Sequence, residues 1–308
     1  MLPRAVVDAR VRVEQIAPTL PGGRRLTDWL TATPDEVLVE QSGVRVLIRG
    51  TEEVLVDLDD GADTALLGPI LYGAAVRTLL LHAGIFCLHA TIVRHGETVL
   101  ALAGHSGAGK TTTATALCRF HGAALLVDDL VPTRVVGRRP QVQVFERPVH
   151  LTVDAVDQLG LRGVADATVL IPGPKGKVAL PATRFGAAAG ETSWIDLDRL
   201  FALSLVGGDD DLGKRADASA GVIEREVSGA DRLRWIVRLS NVTGLSSLGD
   251  RSTAYFAWAT ELADSLDMVR IERPDGAETL LEVCTAVLAA VRRRGGLPEV
   301  GVTLAADP

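Results

Sequence analysis

The residues best suited to chemistry lie in one glycine-rich stretch. The pattern G-x-x-x-x-G-K-[ST], known as the P-loop or Walker A motif, is matched at every position and followed by a second threonine. Its residues are Gly104, His105, Ser106, Gly107, Ala108, Gly109, Lys110, Thr111 and Thr112. Glycines allow a tight loop whose N–H groups face an anion, while the lysine suits phosphates and the hydroxyl suits Mg²⁺. We predict that residues 104–112 bind ATP. The alternative is a glycine-rich turn without a ligand, and a phosphate contact from His105 is left open.

The flanking sequence supplies the elements that this motif needs. Residues 99–103 are an apolar run typical of a buried strand, and residues 111–120 have the character of a helix. The loop would therefore lead from the end of a strand to the N-terminus of a helix, where partial positive charge favours phosphate. This context favours a nucleotide site.

Two adjacent carboxylates, Asp128 and Asp129, follow the next apolar run at residues 123–127. Neighbouring carboxylates repel one another and need a cation or a proton to share their site. In a P-loop protein, an aspartate at a strand end is suited to bind Mg²⁺ or to act as a base near the γ-phosphate. The alternative is a pair of turn or helix-capping aspartates.

His89 lies in an apolar segment that should form a strand beside the strand of the glycine-rich loop. A lone histidine there is more often a hydrogen-bonded core residue than a catalytic one. Its expected proximity to Asp128 favours the catalytic interpretation.

Three segments together resemble a known family. LHATIV (88–93), GHSGAGKTT (104–112) and LLVDDLV (125–131), in this order and spacing, resemble the catalytic domain of the HPr kinase/phosphorylase family. They are more similar still to its shorter HPr-kinase-like relatives, some of which modify lasso-peptide precursors. The resemblance is strongest over about residues 80–135. It implies a fold of the phosphoenolpyruvate-carboxykinase type and transfer of the γ-phosphoryl group from ATP to a hydroxyl.

Carried over residue by residue, the resemblance also implies roles. Asp128 would accept the proton of the attacking hydroxyl, while Asp129 and His89 would support the metal and orient that base. Glu146 is a candidate second metal ligand, with a surface ion pair as the alternative. The implied catalytic residues are Asp128, His89 and Lys110, and the implied Mg²⁺ ligands are Thr111, Asp129 and Glu146.

Composition limits the class of protein. The chain has 308 residues, of which 47% are hydrophobic, so a globular core is expected. A net charge of −7 argues against nucleic acid as the principal partner. Three widely spaced cysteines favour reduced thiols over disulfides or a zinc site. The first residues lack the apolar region of a signal peptide, and the most apolar window, Thr78–Val93, is shorter than a bilayer span. We expect a cytoplasmic protein without membrane partners, and association of identical chains is left open.

Hydrophobic periodicity predicts an α/β (α+β) fold in two parts. Residues 1–80 should form an antiparallel β-rich N-terminal lobe with a connecting helix. Residues 81–308 should form the catalytic domain, for which the resemblance implies a P-loop kinase core of the phosphoenolpyruvate-carboxykinase type. Strands are predicted at 6–13, 36–40, 44–48, 51–57, 86–94, 97–103, 123–127 and 140–149, with a hairpin at 167–180. Helices are predicted at 65–81, 111–120, 153–161, 230–239, 253–266 and 277–291, and a polar loop at 207–221.

The glycine-rich motif, the paired aspartates and the family resemblance together predict an ATP- and Mg²⁺-dependent kinase that transfers the γ-phosphoryl group to a hydroxyl. The favoured acceptor is a serine or threonine of a peptide or small protein, and a small-molecule alcohol comes second. A nucleotide-binding regulatory module with weak ATPase activity is the alternative from another class. Lys175, Lys177 and Lys214 lie in glycine-flanked segments that we expect to approach ATP or the acceptor. The alternative is that they are ordinary solvated lysines.

Overall fold

A computed structural model of the chain describes residues 8–161, 170–171, 176–187, 192–205, 221–240, 244–249, 251–274 and 279–295. Over these residues the fold is mixed α/β, with four sheets and covering helices. Lys175, Lys214 and nearly all of the predicted loop at 207–221 lie outside the described residues.

The N-terminal part of the chain forms a six-stranded sheet. Strands β2 to β6 form an antiparallel meander, as the alternating sequence predicts. β1, however, pairs with β6 in parallel, so the expectation of a wholly antiparallel lobe is wrong there. The sheet order is β1-β6-β5-β4-β3-β2, with β1 (Arg10–Val13), β2 (Arg24–Thr27), β3 (Leu30–Ala32), β4 (Glu36–Gln41), β5 (Val44–Arg49) and β6 (Glu53–Leu58).

Both faces of this sheet are covered. On one face, alternate side chains such as Val37, Val46 and Val54 enter the main hydrophobic core of the molecule. The other face carries a smaller core, formed by Ile16, Leu20, Leu38, Leu47 and Leu55.

A helical segment, α1 (Thr64–His82), connects this sheet to the rest of the chain. It is wound as a π-helix over Ile70–Ala75 and as a regular α-helix over Val76–His82. Its length and apolar composition would suffice to cross a membrane, but Ile70, Val76 and Leu80 are buried in the main core. We therefore interpret α1 as the connecting core helix predicted at 65–81. Because that core is shared with the central sheet, the division at residue 80 stays a prediction.

The central sheet has six strands in the order β10-β8-β9-β17-β19-β18. β9, β17 and β19 are parallel, and the outer strands pair antiparallel. Its strands are β8 (Ala90–His95), β9 (Thr98–Ala103), β10 (Ala124–Val127), β17 (Arg199–Leu205), β18 (Ile223–Glu226) and β19 (Met268–Arg273). The parallel strands put their carboxyl ends at one edge, where ligands bind in open α/β sheets.

Helices cover both faces of the central sheet, because its strands carry apolar side chains on each face. Leu100 and Leu102 pack towards α2 and α6, whereas Ala101 and Ala103 face the core that contains α4 and α5. The helices are α2 (Lys110–His121), α3 (Val153–Gln158), α4 (Ala230–Leu239), α5 (Arg251–Ser265) and α6 (Leu280–Gly295). All five lie close to their predicted positions.

Two smaller sheets flank the central one. A four-stranded sheet has the order β16-β12-β11-β7, and a three-stranded sheet has the order β13-β15-β14. The latter contains the hairpin predicted at 167–180. The strands are β7 (Cys87–Leu88), β11 (Val131–Val136), β12 (Arg139–Val144), β13 (Val149–Thr152), β14 (Leu170–Ile171), β15 (Lys177–Leu180) and β16 (Ser193–Asp196).

Two predicted strands are each divided in the structure. The strand predicted at 86–94 is interrupted at His89, whose N–H donates 2.7 Å to the carbonyl of Leu239 instead of to a neighbouring strand. The strand predicted at 140–149 ends at Val144 and resumes at Val149 in a different sheet. Pro148, which has no N–H to donate, lies in that gap. Both interruptions border the candidate active site.

Candidate active site

The glycine-rich loop joins the carboxyl end of β9 to the N-terminus of α2, as predicted. Gly107 and Gly109 have φ values of 87° and 91°, which favour glycine. A Cβ on Gly104 would lie 2.5 Å from the carbonyl oxygen of Leu203 on β17, so the backbones there approach too closely for any side chain. The first N–H groups of α2 have no helical acceptors and are free to face an anion.

Lys110 lies inside this loop. Its Nζ donates to the carbonyl oxygens of Gly104 at 3.0 Å and His105 at 3.1 Å, and the residue is only 7% exposed. Burial lowers the pKa of Lys110 to about 8, although Asp129 and Asp128 oppose the shift. Lys110 is thus a poorly hydrated amine held by two carbonyl oxygens of the glycine-rich loop.

Asp128 follows β10 and is almost completely buried. Its Oδ1 accepts hydrogen bonds from the hydroxyls of Thr91 at 2.6 Å and Thr111 at 3.0 Å. Its Oδ2 accepts one long hydrogen bond, of 3.4 Å, from the backbone N–H of His150. The structure therefore joins the hydroxyl predicted to bind Mg²⁺ directly to the predicted base.

Asp129 and His89 meet where two chain segments pass between sheets. His89 separates β7 from β8, which belong to different sheets. Residues 128–130 likewise separate β10, in the central sheet, from β11, in the four-stranded sheet. Asp129 has a φ of 73°, unusual for a residue with a side chain. Its Oδ1 lies 3.1 Å from Nε2 of His89. The turn directs the two aspartates to different partners.

The two aspartates differ in how easily they ionise. Burial and the negative charge of Asp129 raise the pKa of Asp128, and its three hydrogen bonds only partly offset this. Burial also opposes ionisation of Asp129. The hydrogen bond and charge of His89, together with the charges of Arg147 and Arg77, outweigh it and lower the pKa of Asp129 well below its usual range. Asp128 is therefore the better proton acceptor, and Asp129 is held as an anion.

The other predicted site residues lie around this centre. His105 and Ser106 are exposed at the tip of the loop, while Ala108 is buried and Thr112 is half-buried in the first turn of α2. Glu146 is exposed beyond β12. Within the described part of the chain, no group of three His, Cys, Asp or Glu side chains is arranged to hold a metal ion, so Glu146 is not gathered with the aspartates.

Two residues that contact Asp128 were not singled out from the sequence. Thr91 is fully buried between the apolar residues Ala90 and Ile92 of β8, and a hydroxyl at such a position is a signal that could have found it. His150 contributes its backbone N–H from β13, which no sequence pattern reveals.

Further basic side chains converge on the site. The guanidinium of Arg273, at the carboxyl end of β19, has its Nε 3.4 Å from the carbonyl of Ala108 in the loop. A Cβ on Gly109 would lie 3.3 Å from the same guanidinium. Lys177, on β15, lies close enough for its charge to act on Lys110 and His150. It is the one of the three predicted loop lysines that lies within the described residues.

Two more arginines, Arg147 and Arg77, lie close enough for their charges to act on Asp129. Arg147 is 8% exposed, and its Nη2 donates 2.9 Å to the carbonyl of Tyr72 on α1. Arg77 is the only charged residue between positions 65 and 81, and a lone arginine in an apolar helix is the signal that could have found it.

Comparison with known proteins gives matches among solved structures but none at the level of sequence families or curated proteins. Among solved structures, the Hpr(Ser) kinase/phosphatase from Coxiella burnetii is similar over 68% of this chain and 93% of its own, at 13% identity and a TM-score of 0.35. A similarity this weak assigns no activity, so the functional argument depends on the site itself.

Proposed function

We propose that this protein is an ATP- and Mg²⁺-dependent kinase that transfers the γ-phosphoryl group to a hydroxyl, on a core of the phosphoenolpyruvate-carboxykinase type. The favoured acceptor is a serine or threonine of a peptide or small protein. The observation that carries the proposal is the Thr111–Asp128 contact, which places a candidate base directly beside the glycine-rich loop.

The loop and its basic neighbours support ATP as the donor. N–H groups at the start of α2, Lys110, Arg273 and Lys177 together would stabilise the charge of a polyphosphate. The same groups would stabilise charge that spreads over the transferred phosphoryl group, which is the main catalytic contribution in phosphoryl transfer.

Asp128 is the proposed base. Its raised pKa improves its capacity to accept a proton at neutral pH, and Oδ2 has only one long hydrogen bond. Asp129, paired with His89, would stay ionised beside it, and its negative charge would keep the pKa of Asp128 high.

The residues present fit Mg²⁺. This ion keeps several waters and takes one or two protein oxygens plus phosphates, so a cage of three carboxylates is not required. The proposed ligands are the Thr111 hydroxyl and the carboxylate of Asp129, whose side chain is 39% exposed. The ion would neutralise charge on the β- and γ-phosphates.

The experiment combines the protein with γ-³²P-labelled ATP, Mg²⁺ and the products of neighbouring genes. We expect label in one of these acceptors with the wild-type protein and none with Lys110→Ala, because the phosphate contact is lost. Label in a small molecule would favour an alcohol kinase. ATP binding without label in any acceptor would favour the regulatory module and contradict the proposal.

A further inference from the structure

Two arginines near Asp129 each have a buried nitrogen atom without a hydrogen-bond partner among the described residues. These atoms are Nε of Arg77 and Nη1 of Arg147. A buried donor without an acceptor costs about 1–3 kcal/mol, and more when it is charged. These positions are therefore unfavourable unless an acceptor atom from a bound molecule pairs with the two nitrogens.

The two arginines come from different parts of the chain, and a hydrogen bond joins Arg147 to the helix that carries Arg77. Arg147 lies between β12 and β13, and its Nη2 bonds to the Tyr72 carbonyl on α1. Arg77 is one turn and a half further along the same helix. The π-helical stretch of α1 contains Tyr72, so this wall of the site is built by the N-terminal part of the chain.

The local charge favours an anion. Two guanidiniums act on one ionised carboxylate, Asp129, whose Oδ1 is already engaged with His89. Arg273 and Lys177 lie near the glycine-rich loop, whereas Arg77 and Arg147 act on Asp129, the neighbour of the proposed base. An acceptor hydroxyl must reach that base, so an anion held by the two arginines would lie close to it.

We propose that Arg77 and Arg147 form an oxyanion-binding site for the acceptor, which therefore carries a carboxylate or phosphate group close to its reactive hydroxyl. The planar fork of each guanidinium suits either group. This inference rests on the proposed kinase function, and it narrows the acceptor to an anionic hydroxyl compound or an acidic segment of a peptide.

The test uses inorganic phosphate and acetate as probes. The protein is first saturated with Mg²⁺ and a non-hydrolysable ATP analogue, so that the glycine-rich loop is filled, and each probe is titrated in by calorimetry. We expect wild-type protein to bind at least one probe, and the tighter one identifies the group on the acceptor. Arg77→Gln and Arg147→Gln should each weaken that binding about 10-fold or more, since each removes a charged hydrogen-bond donor. Arg94→Gln, at an exposed position on β8, should leave it unchanged.

Two results would overturn the inference. One is absence of binding of both probes to the wild-type protein. The other is unchanged probe affinity in folded Arg77→Gln together with altered thermal stability, which would mean that the arginines only balance Asp129. If Arg147→Gln does not fold, Arg147→Lys replaces it and should still weaken the probe. Failure of the wild-type protein to bind the ATP analogue would instead contradict the kinase proposal. Titration of phosphate into Lys110→Ala then tests the arginine site alone.

Discussion

Asp128→Asn separates a kinase from a nucleotide binder. Asparagine is nearly isosteric and its amide oxygen still accepts from Thr91 and Thr111, but it cannot take up a proton. Removing a general base costs roughly 10²–10⁴ in rate. At 1.36 kcal/mol for each factor of ten, the barrier should rise by about 2.7–5.5 kcal/mol.

The fold should tolerate this change. The amide NH₂ would take the position of Oδ2 and face the N–H of His150. One long hydrogen bond, worth about 1 kcal/mol, would therefore be lost. A second effect opposes this loss of stability. The raised pKa of Asp128 means that its ionised form is unfavourable in the folded protein. Replacing it therefore relieves repulsion from Asp129. We expect the free energy of unfolding to change by no more than about 1 kcal/mol, because these effects oppose each other.

The assay measures turnover from γ-labelled ATP and, separately, the affinity for a non-hydrolysable analogue. Turnover should fall while affinity persists, and Asp154→Asn, at an exposed position on α3, should change neither. The acid limb of the wild-type pH profile should also disappear in Asp128→Asn, since the active form is the deprotonated carboxylate. Unchanged turnover with a lost Mg²⁺ dependence would refute the reasoning and make Asp128 a metal ligand only.

Three further predictions concern the loop and the N-terminal sheet. Analogue affinity, measured by calorimetry, should decline as pH rises above about 8, because Lys110 loses its charge there, and Lys110→Ala should lack this decline. Gly104→Ala should abolish analogue binding and destabilise the fold by roughly 1–3 kcal/mol in denaturant unfolding, because its Cβ would press on the Leu203 carbonyl. An intact site in that variant would contradict the loop geometry. Asp57→Asn should cost about 1–3 kcal/mol of unfolding free energy at neutral pH, because the carboxylate accepts hydrogen bonds from a backbone N–H and an arginine. The pKa of Asp57 is lowered on folding, so this contribution is present above its unfolded value near 3.8 and is lost as pH falls through the folded value. Asp59→Asn, which shares the arginine but is 49% exposed, should cost less.

The features that sequence predicted well are local. The glycine-rich loop depends on nine consecutive residues, and α2 and the strand before it depend on short apolar patterns. The same holds for α1, whose apolar periodicity spans nearly its whole length. In each case the physical cause of the structure lies within a few residues, so the pattern suffices to predict it.

The features that sequence did not predict depend on contacts between distant segments. The strand is broken at His89 because the N–H of this residue donates to the carbonyl of Leu239. β1 pairs in parallel with β6, which lies about forty residues further along the chain. Arg77 reaches the site only because α1 packs beside residues 145–148. No local pattern encodes such partners, although a single arginine in an apolar helix indicates that something draws it inward.

The pairing of His89 with Asp129 shows a partial success. Proximity of this histidine to Asp128 was expected from neighbouring strands, and the structure brings it to 3.1 Å from the adjacent Asp129. Which of the two aspartates it contacts was decided by the positive φ of Asp129, a conformation that the sequence does not specify. Their catalytic roles stay predictions.

The most direct test of the central claim compares α-³²P- and γ-³²P-labelled ATP in the acceptor assay. The account predicts that label from the γ position, and not from the α position, enters an acceptor hydroxyl in the presence of Mg²⁺. It also predicts that Asp128→Asn lowers this transfer at least about 100-fold while the variant still binds the analogue. Stoichiometric binding of ATP by the wild-type protein with no γ-label transferred to any acceptor would contradict the account.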